Sequence, residues 1–78
     1  MKVRVNVVPK PAILDPAGVA TATAIQQLGI SEVSSVRIGK LIEIELEQAT
    51  EEQLHAICSD LLSNPVIEDY YFEIEDSL

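Results

Sequence analysis

The sequence predicts an α+β domain with the element order β-α-β-β-α-β. Three observations carry that expectation. Apolar and polar residues alternate strictly near both ends of the chain, two helices carry explicit start signals, and the stretch between them alternates again.

Val3, Val5 and Val7 share one face and Lys2, Arg4 and Asn6 the other, the two-residue period of a half-buried strand over Lys2–Val8. Pro9 and Pro11 stop it and enforce an extended connection poor in hydrogen bonds. Asp15-Pro16 then reads as an N-cap followed by proline at the first helical position, which opens a helix over Pro16–Leu28. Its expected buried stripe is Ala17, Thr21, Ala24, Ile25 and Leu28, and Gly29 stands where a left-handed C-terminal cap is wanted. The stripe is built of small residues, so this helix can approach a sheet closely, and Gly18 and Ala20 extend that property around the first turn.

Residues 33–47 read as a hairpin, with Val36 and Ile38 on one arm and Ile42, Ile44 and Leu46 on the other. Parity constrains the turn. A two-residue turn at Gly39-Lys40 would put Glu43 and Glu45 on the apolar face, so a three-residue loop over Gly39–Leu41, or an equivalent bulge, is expected to bring Ile38 opposite Ile42. Thr50-Glu51-Glu52-Gln53 is a capping box whose acidic first turn suits the helix dipole, and the helix it opens runs to about Ser63. Leu54, Ile57, Cys58, Leu61 and Leu62 form its core stripe. Asn64-Pro65 ends it, and Ile67–Glu75 resumes alternation with Tyr70, Phe72 and Ile74 on one side. Two such half-units give a four-stranded antiparallel sheet with two helices on one face, the ferredoxin-like split arrangement. The other face stays open. Leu41 and Tyr71 sit among its polar residues, which suits dimerisation through the sheet or a strand edge.

At 78 residues the chain is expected to be a single domain over 1–78, and a domain this small has a thin core. Cys58 is its only cysteine and His55 its only histidine, so neither an intrachain disulfide nor a zinc site of four Cys and His ligands is available, and oligomerisation is the staple that remains. Thirteen acidic residues against five basic ones give a net charge of −8, which excludes general nucleic-acid binding because no basic face can be assembled. The charge is uneven. All five bases lie in residues 1–40 with only Asp15 and Glu32 against them, whereas residues 41–78 carry eleven acids and no base. Such a division suits docking to a protein of complementary charge, or simple solubility. No segment has the apolar length of a membrane span, and the first residues alternate instead of forming a signal peptide's apolar run; a cytoplasmic protein without membrane contact is expected.

Catalytic constellations are sparse. His55 falls off its helix's apolar stripe, is expected to face solvent, and has no Ser, Cys or carboxylate arranged with it. Cys58 lies on the core stripe and reads as an inert buried thiol. Glu43, Glu45 and Glu47 line one strand face, spaced for solvation or docking more than for a cation. Gly18, Gly29 and Gly39 have local explanations and form no phosphate loop. No catalytic residue and no metal site are therefore expected. The residues that stand out are Lys10, Asp15, Arg37, Lys40, Asn64 and Asp69, all at strand ends or turns, where binding residues concentrate.

The wording of these loops resembles a known family. Lys10-Pro11-x-x-Leu14-Asp15-Pro16-x-Gly18, Leu28-Gly29, Val36-Arg37-Ile38-Gly39-Lys40 with Glu43, and Asn64-Pro65-Val66-Ile67-Glu68-Asp69-Tyr70 are similar to PurS, the small subunit of phosphoribosylformylglycinamidine (FGAM) synthase. The resemblance runs from the first strand to the last. Its one departure is a first helix richer in alanine and threonine than the family pattern.

The resemblance implies a PurS-like fold and a subunit of the enzyme that converts formylglycinamide ribonucleotide, glutamine and ATP to FGAM in de novo purine synthesis. It implies no chemistry in this chain. ATP and magnesium would be used by a large synthetase subunit, ammonia would be released by a separate glutamine amidotransferase subunit, and this chain, as a dimer or tetramer, would bridge them. Lys10, Asp15, Arg37, Lys40, Asn64 and Asp69 then become partner contacts or the lining of an ammonia path. Two other readings fit the element pattern: a dimeric ACT-like module binding a small effector, and an acylphosphatase-like enzyme. The second lacks the arginine that such catalysis needs in the loop after the first strand, where Lys10 stands between two prolines.

Overall fold

In the computed structural model of the chain, which describes residues 1–75, strand β1 (Lys2–Pro9) runs through the middle of a three-stranded antiparallel sheet of order β2-β1-β3. Helix α1 (Pro16–Gln27) follows β1, strand β2 (Lys40–Glu45) comes next, then helix α2 (Glu51–Ile57) and strand β3 (Glu68–Glu75). The fold is α+β with two helices and an antiparallel sheet.

The alternation of β1 sets the register of both neighbours. Val3, Val5 and Val7 stand opposite Ile44, Ile42 and Lys40 of β2 and opposite Ile74, Phe72 and Tyr70 of β3. The three valines are fully buried, and with Leu54 and Cys58 of the overlying α2 segment they make up the buried core. Ile42, Ile44, Leu46, Tyr70 and Phe72 pack around it. Met1 and Leu46 extend the β1–β2 ladder by exchanging two hydrogen bonds, 2.7 and 3.0 Å long.

The opposite face is open, and its charges interleave. Lys2 and Arg4 lie on the central strand between the glutamates of both edges, with Lys2 paired to Glu43 and Arg4 to Glu75 at 3.0 Å each. The strong division of charge along the sequence is thus partly mixed in space, because the basic strand sits between two acidic ones. Leu41 and Tyr71 are both exposed here, each opposite Asn6.

The expected fourth strand is absent among the described residues. Residues 33–38 are not laddered to β2, so the hairpin with its Gly39–Leu41 loop does not form; Lys40 and Leu41 already belong to β2. Residues 36–38 lie against the start of α1 instead, with the Val36 carbonyl oxygen over Gly18 and the Ile38 N–H bonded to the Asp15 carboxylate. A Cβ at Gly39 would collide with the Val7 carbonyl oxygen, so glycine permits this crossing over the end of β1.

Helix α1 forms as its sequence dictates but does not join the core. Asp15 caps it by accepting from the Gly18 N–H at 3.1 Å, Pro16 begins it, and Gly29 closes it at φ 98°. No α1 residue packs against the core cluster. Of the expected stripe, Thr21 and Ile25 are half-buried, whereas Ala17, Ala24 and Leu28 are exposed, so the two helices do not share one face of the sheet. Residues 30–38 instead return beside α1, with Val33 and Val36 near Gly18, Ala22 and Gln26. Together they form an arm on the sheet. The radius of gyration is 15.8 Å, against roughly 11.5 Å for a compact domain of this length.

Helix α2 keeps its capping box, with the Gln53 N–H donating to Thr50 Oγ1 at 3.1 Å and the Thr50 N–H donating to Gln53 Oε1 at 2.9 Å. A wider π-helical turn follows over Cys58–Leu62, closed by the Ser63 N–H on the Cys58 carbonyl. The extra residue in that turn rotates the later positions. Leu62 stays against the core, but Leu61, expected in the stripe, is 76% exposed. His55 is exposed, as its place off the apolar stripe implies, and it also reaches β3, with Nδ1 2.7 Å from the Tyr70 hydroxyl and its ring edge-on to Phe72.

Candidate functional site

Most of the polar residues singled out in the sequence come together where β1 ends. Pro9 has no N–H and β1 stops there, so the next residues leave the sheet, and Lys10 is tied back through its N–H to the Ile67 carbonyl at 2.9 Å. The Lys10 ammonium pairs with Asp69 Oδ1 at 3.0 Å, across 59 residues of sequence. Asp69 is the second residue of β3, opposite Val8.

Asn64 builds the turn that delivers Ile67 and Asp69. Its Oδ1 accepts from the Val66 N–H at 3.1 Å, and its carbonyl accepts from Ile67 and Glu68 at 3.0 and 2.7 Å. Its own N–H donates to Glu68 Oε1 at 2.8 Å. Asparagine serves here because its side chain closes a local turn onto the backbone two residues on.

Asp15 and Arg37 fasten the arm to the same place. One carboxylate oxygen of Asp15 caps α1 and the other accepts from the Ile38 N–H at 2.9 Å. The Ile38 N–H foremost, then that of Gly18, with a smaller contribution from the Arg37 charge, hold the Asp15 carboxyl below the ordinary aspartate value. The Arg37 guanidinium donates to the Pro9 carbonyl. Lys10, Asp15 and Arg37 thus line one open cleft of about 280 Å³, with Leu14, Ser35 and Val36 completing its wall.

Lys40 stands apart. It begins β2 opposite Val7, exposed, with no ion pair among the described residues. The cleft also uses groups the sequence did not single out: the Pro9 carbonyl, the Ile38 N–H, Ser35 and Leu14. Two of these are backbone atoms, whose role no residue type announces. Gly18 was legible as a close-packing position, and a Cβ there would collide with the Val36 carbonyl oxygen.

The arrangement offers hydrogen-bond donors, carboxylates and a shallow apolar wall, but no nucleophile paired with a base. Cys58 is buried and burial pushes its thiol pKa up, away from the reactive thiolate. Among the described residues no three His, Cys, Asp or Glu side chains are grouped to hold a metal ion, and Glu43 is held by Lys2, whose hydrogen bond lowers its pKa. These features define a small α+β domain whose polar loops meet in one open cleft.

Comparison with known proteins makes that class specific. The family model for PurS, phosphoribosylformylglycinamidine (FGAM) synthase, matches residues 2–76. The FGAM synthase subunit PurS of Synechocystis sp. is 51% identical over 75 residues, covering 91% of this chain and 75% of that protein. Among solved structures, Bacillus subtilis PurS superposes with a TM-score of 0.86 at 40% identity, covering 96% of this chain and 98% of that one. A chain of the PurLQS structure from Thermotoga maritima gives a TM-score of 0.77 at 28% identity, covering 92% of this chain and 93% of that one. The chain belongs to the PurS family of FGAM synthase subunits.

Proposed function

We propose that this chain is the non-catalytic small subunit of FGAM synthase in de novo purine biosynthesis, where it bridges an ATP-dependent synthetase subunit and a glutamine amidotransferase subunit. The enzyme it serves converts formylglycinamide ribonucleotide, glutamine and ATP to FGAM. The synthetase subunit uses ATP and magnesium, the amidotransferase releases ammonia from glutamine, and this chain, self-associated, holds the two so that ammonia passes between them. It works in the cytoplasm; no helix among the described residues is long and apolar enough to cross a membrane.

The observation that carries this reading is the cleft at the end of β1. Lys10, Asp15 and Arg37 converge there on an open surface, while the one thiol of the chain is sealed in the core. A surface of fixed polar groups without a reacting pair positions partners; it does not transform a substrate. Lys40, apart from the cleft at the start of β2, and the Asn64 turn are further partner contacts.

The test is amidine synthesis by purified synthetase and amidotransferase subunits from the same cell, with and without this chain. Glutamine-driven synthesis is expected only when the chain is present, with ammonia-driven synthesis by the large subunit unchanged. Equal glutamine-driven rates with and without it would overturn the bridging role. Arg37→Ala and Lys40→Ala are expected to lower the glutamine-driven rate alone.

A further inference from the structure

The segment that follows α2 gives up one of its own core residues. In an unbroken α-helix Leu61 follows Leu54 by seven residues and shares its buried stripe. The π-helical turn over Cys58–Leu62 takes it out of that stripe and leaves it 76% exposed. The turn is firmly closed. Ser63 donates to the Cys58 carbonyl twice, through its N–H at 3.0 Å and its hydroxyl at 2.7 Å. A helix that widens at one fixed place, and forfeits the burial of a leucine by doing so, marks a site with a use outside the fold.

Five residues on, the chain does the same with a valine. Val66 is 78% exposed, and its N–H is held by Asn64 Oδ1 at 3.1 Å while Pro65 fixes φ in the same turn. Leu61 and Val66 are thus presented by a backbone that hydrogen bonds fix on both sides of Ser63. Apolar side chains held in place before binding lose little freedom when a partner covers them. The patch adjoins the polar cleft through Lys10, whose N–H is bonded to the Ile67 carbonyl and whose ammonium is paired with Asp69. An apolar centre beside fixed polar groups is the make-up of a protein–protein contact.

We propose that Leu61 and Val66 anchor this chain in an apolar pocket rimmed by Lys or Arg on one of the other two subunits of the synthase. The inference rests on the reading of the chain as a bridging subunit and names one surface by which it bridges. Charge selects the occupant. Asp60 and Glu68 flank the two anchors, and neither carboxylate has an ion pair among the described residues, so a basic rim complements them and an acidic one is repelled. The same carboxylates disfavour an anionic membrane surface. A second copy of this chain lacks the rim. Its Lys2, Arg4 and Lys10 are paired with Glu43, Glu75 and Asp69, and its Arg37 is bonded to the Pro9 carbonyl, which leaves Lys40 alone.

The test titrates the full chain separately with the purified synthetase subunit and the purified amidotransferase subunit. Leu61→Asp and Val66→Asp are each expected to weaken binding to one of the two by roughly tenfold or more and to leave the other unchanged. Both side chains face solvent, so melting temperature and sedimentation of the free variants should match the wild type. Asp60→Asn combined with Glu68→Gln keeps the local hydrogen bonds and removes the charges; it should slow association with the same subunit and flatten its salt dependence. In the wild-type complex, amide exchange over residues 58–67 should slow when that subunit is added. Unchanged affinity for both subunits, an equal loss against both, or a loss of self-association in place of either would each overturn the proposal. Glutamine-driven amidine synthesis reads the bridging role separately. If the wild type supports it and Leu61→Asp supports it equally with undiminished binding, the patch fails and the bridge stands. If the wild type binds neither subunit and does not support it, the bridge itself fails.

Discussion

The Ile38 N–H donates to the Asp15 carboxylate at 2.9 Å across 23 residues of sequence. The other oxygen of the same carboxylate caps α1 through the Gly18 N–H. One side chain therefore fixes both the start of the helix and the end of the segment that returns beside it, and it makes the arm a single unit.

Asp15→Asn is expected to lower the melting temperature by several degrees, and Asp15→Ala by more, because asparagine keeps one acceptor for the cap. The effect has a defined pH dependence. The carboxyl is held below its ordinary value, so the unfolded chain binds this proton more readily than the folded one. The contribution is complete above the unfolded value of about 3.9 and is lost as pH falls through the lower folded value. Urea midpoints of wild type and Asp15→Asn should differ at neutral pH and converge in acid; a constant gap would show that the charge is irrelevant.

Gly18→Ala and Gly29→Ala separate two roles of glycine. At Gly18 the new methyl meets the Val36 carbonyl oxygen, so the return segment must shift, at a cost of about 1–3 kcal/mol. At Gly29 nothing lies within 4 Å but φ is +98°, and the cost is that of the left-handed backbone alone, about 1 kcal/mol. Equilibrium unfolding measures both. Only Gly18→Ala should also change the glutamine-driven rate, since only it disturbs the wall of the cleft.

Leu54→Ala should be the most damaging single truncation, at about 2–5 kcal/mol. Leu54 is 1% exposed and is the principal side chain that α2 sets onto Val3, Val5 and Val7. A core so small has little to spare. Loss of the cooperative thermal transition is the expected observation, and a melting temperature within two or three degrees of wild type, by the same measure, would contradict the described core.

Lys10 and Asp69 should matter for assembly more than for stability. Their ion pair is half-exposed, with each side chain at 38%, and such pairs contribute under about 1 kcal/mol in a double-mutant cycle. Lys10→Ala and Asp69→Ala are expected to unfold near the wild-type midpoint yet to lower glutamine-driven amidine synthesis. Equal activity in both variants would take the pair out of the docking surface.

Cys58 should resist modification. It is 1% exposed, and burial raises its thiol pKa. Ellman's reagent should react with the native chain at least tenfold more slowly than with the chain in urea, by roughly the scale on which thiolate access governs rate; equal rates would place Cys58 at the surface.

Legibility in the sequence followed the range of the interactions. Asp15-Pro16, Gly29 and the Thr50–Gln53 box announced the helix ends because each cap is made by residues within a few positions of one another. The valines of β1 announced the buried face because a strand's period is two. The candidate residues were readable as loop residues, and four of them proved to meet at the end of β1. Their partners were not readable: Lys10 finds Asp69 and Arg37 finds the Pro9 carbonyl across distances that no local pattern encodes. Leu61 was misplaced because one π-helical turn shifts the phase of everything after it, and the stripe assumed an unbroken 3.6-residue period.

By itself the sequence determined the family, the α+β class, the positions of both helices and of three strands, and the face that β1 buries, since each of these depends on residue type at fixed short spacing. Only the tertiary structure decided that β2 pairs with β1 over its whole length while residues 33–38 go unpaired, and that α1 leaves the sheet. The physical reason is that apolar alternation specifies a strand's faces and says nothing about which edge it joins. That choice was made by Gly39 crossing the end of β1 and by the prolines and the Asp15–Ile38 bond that hold the arm outward.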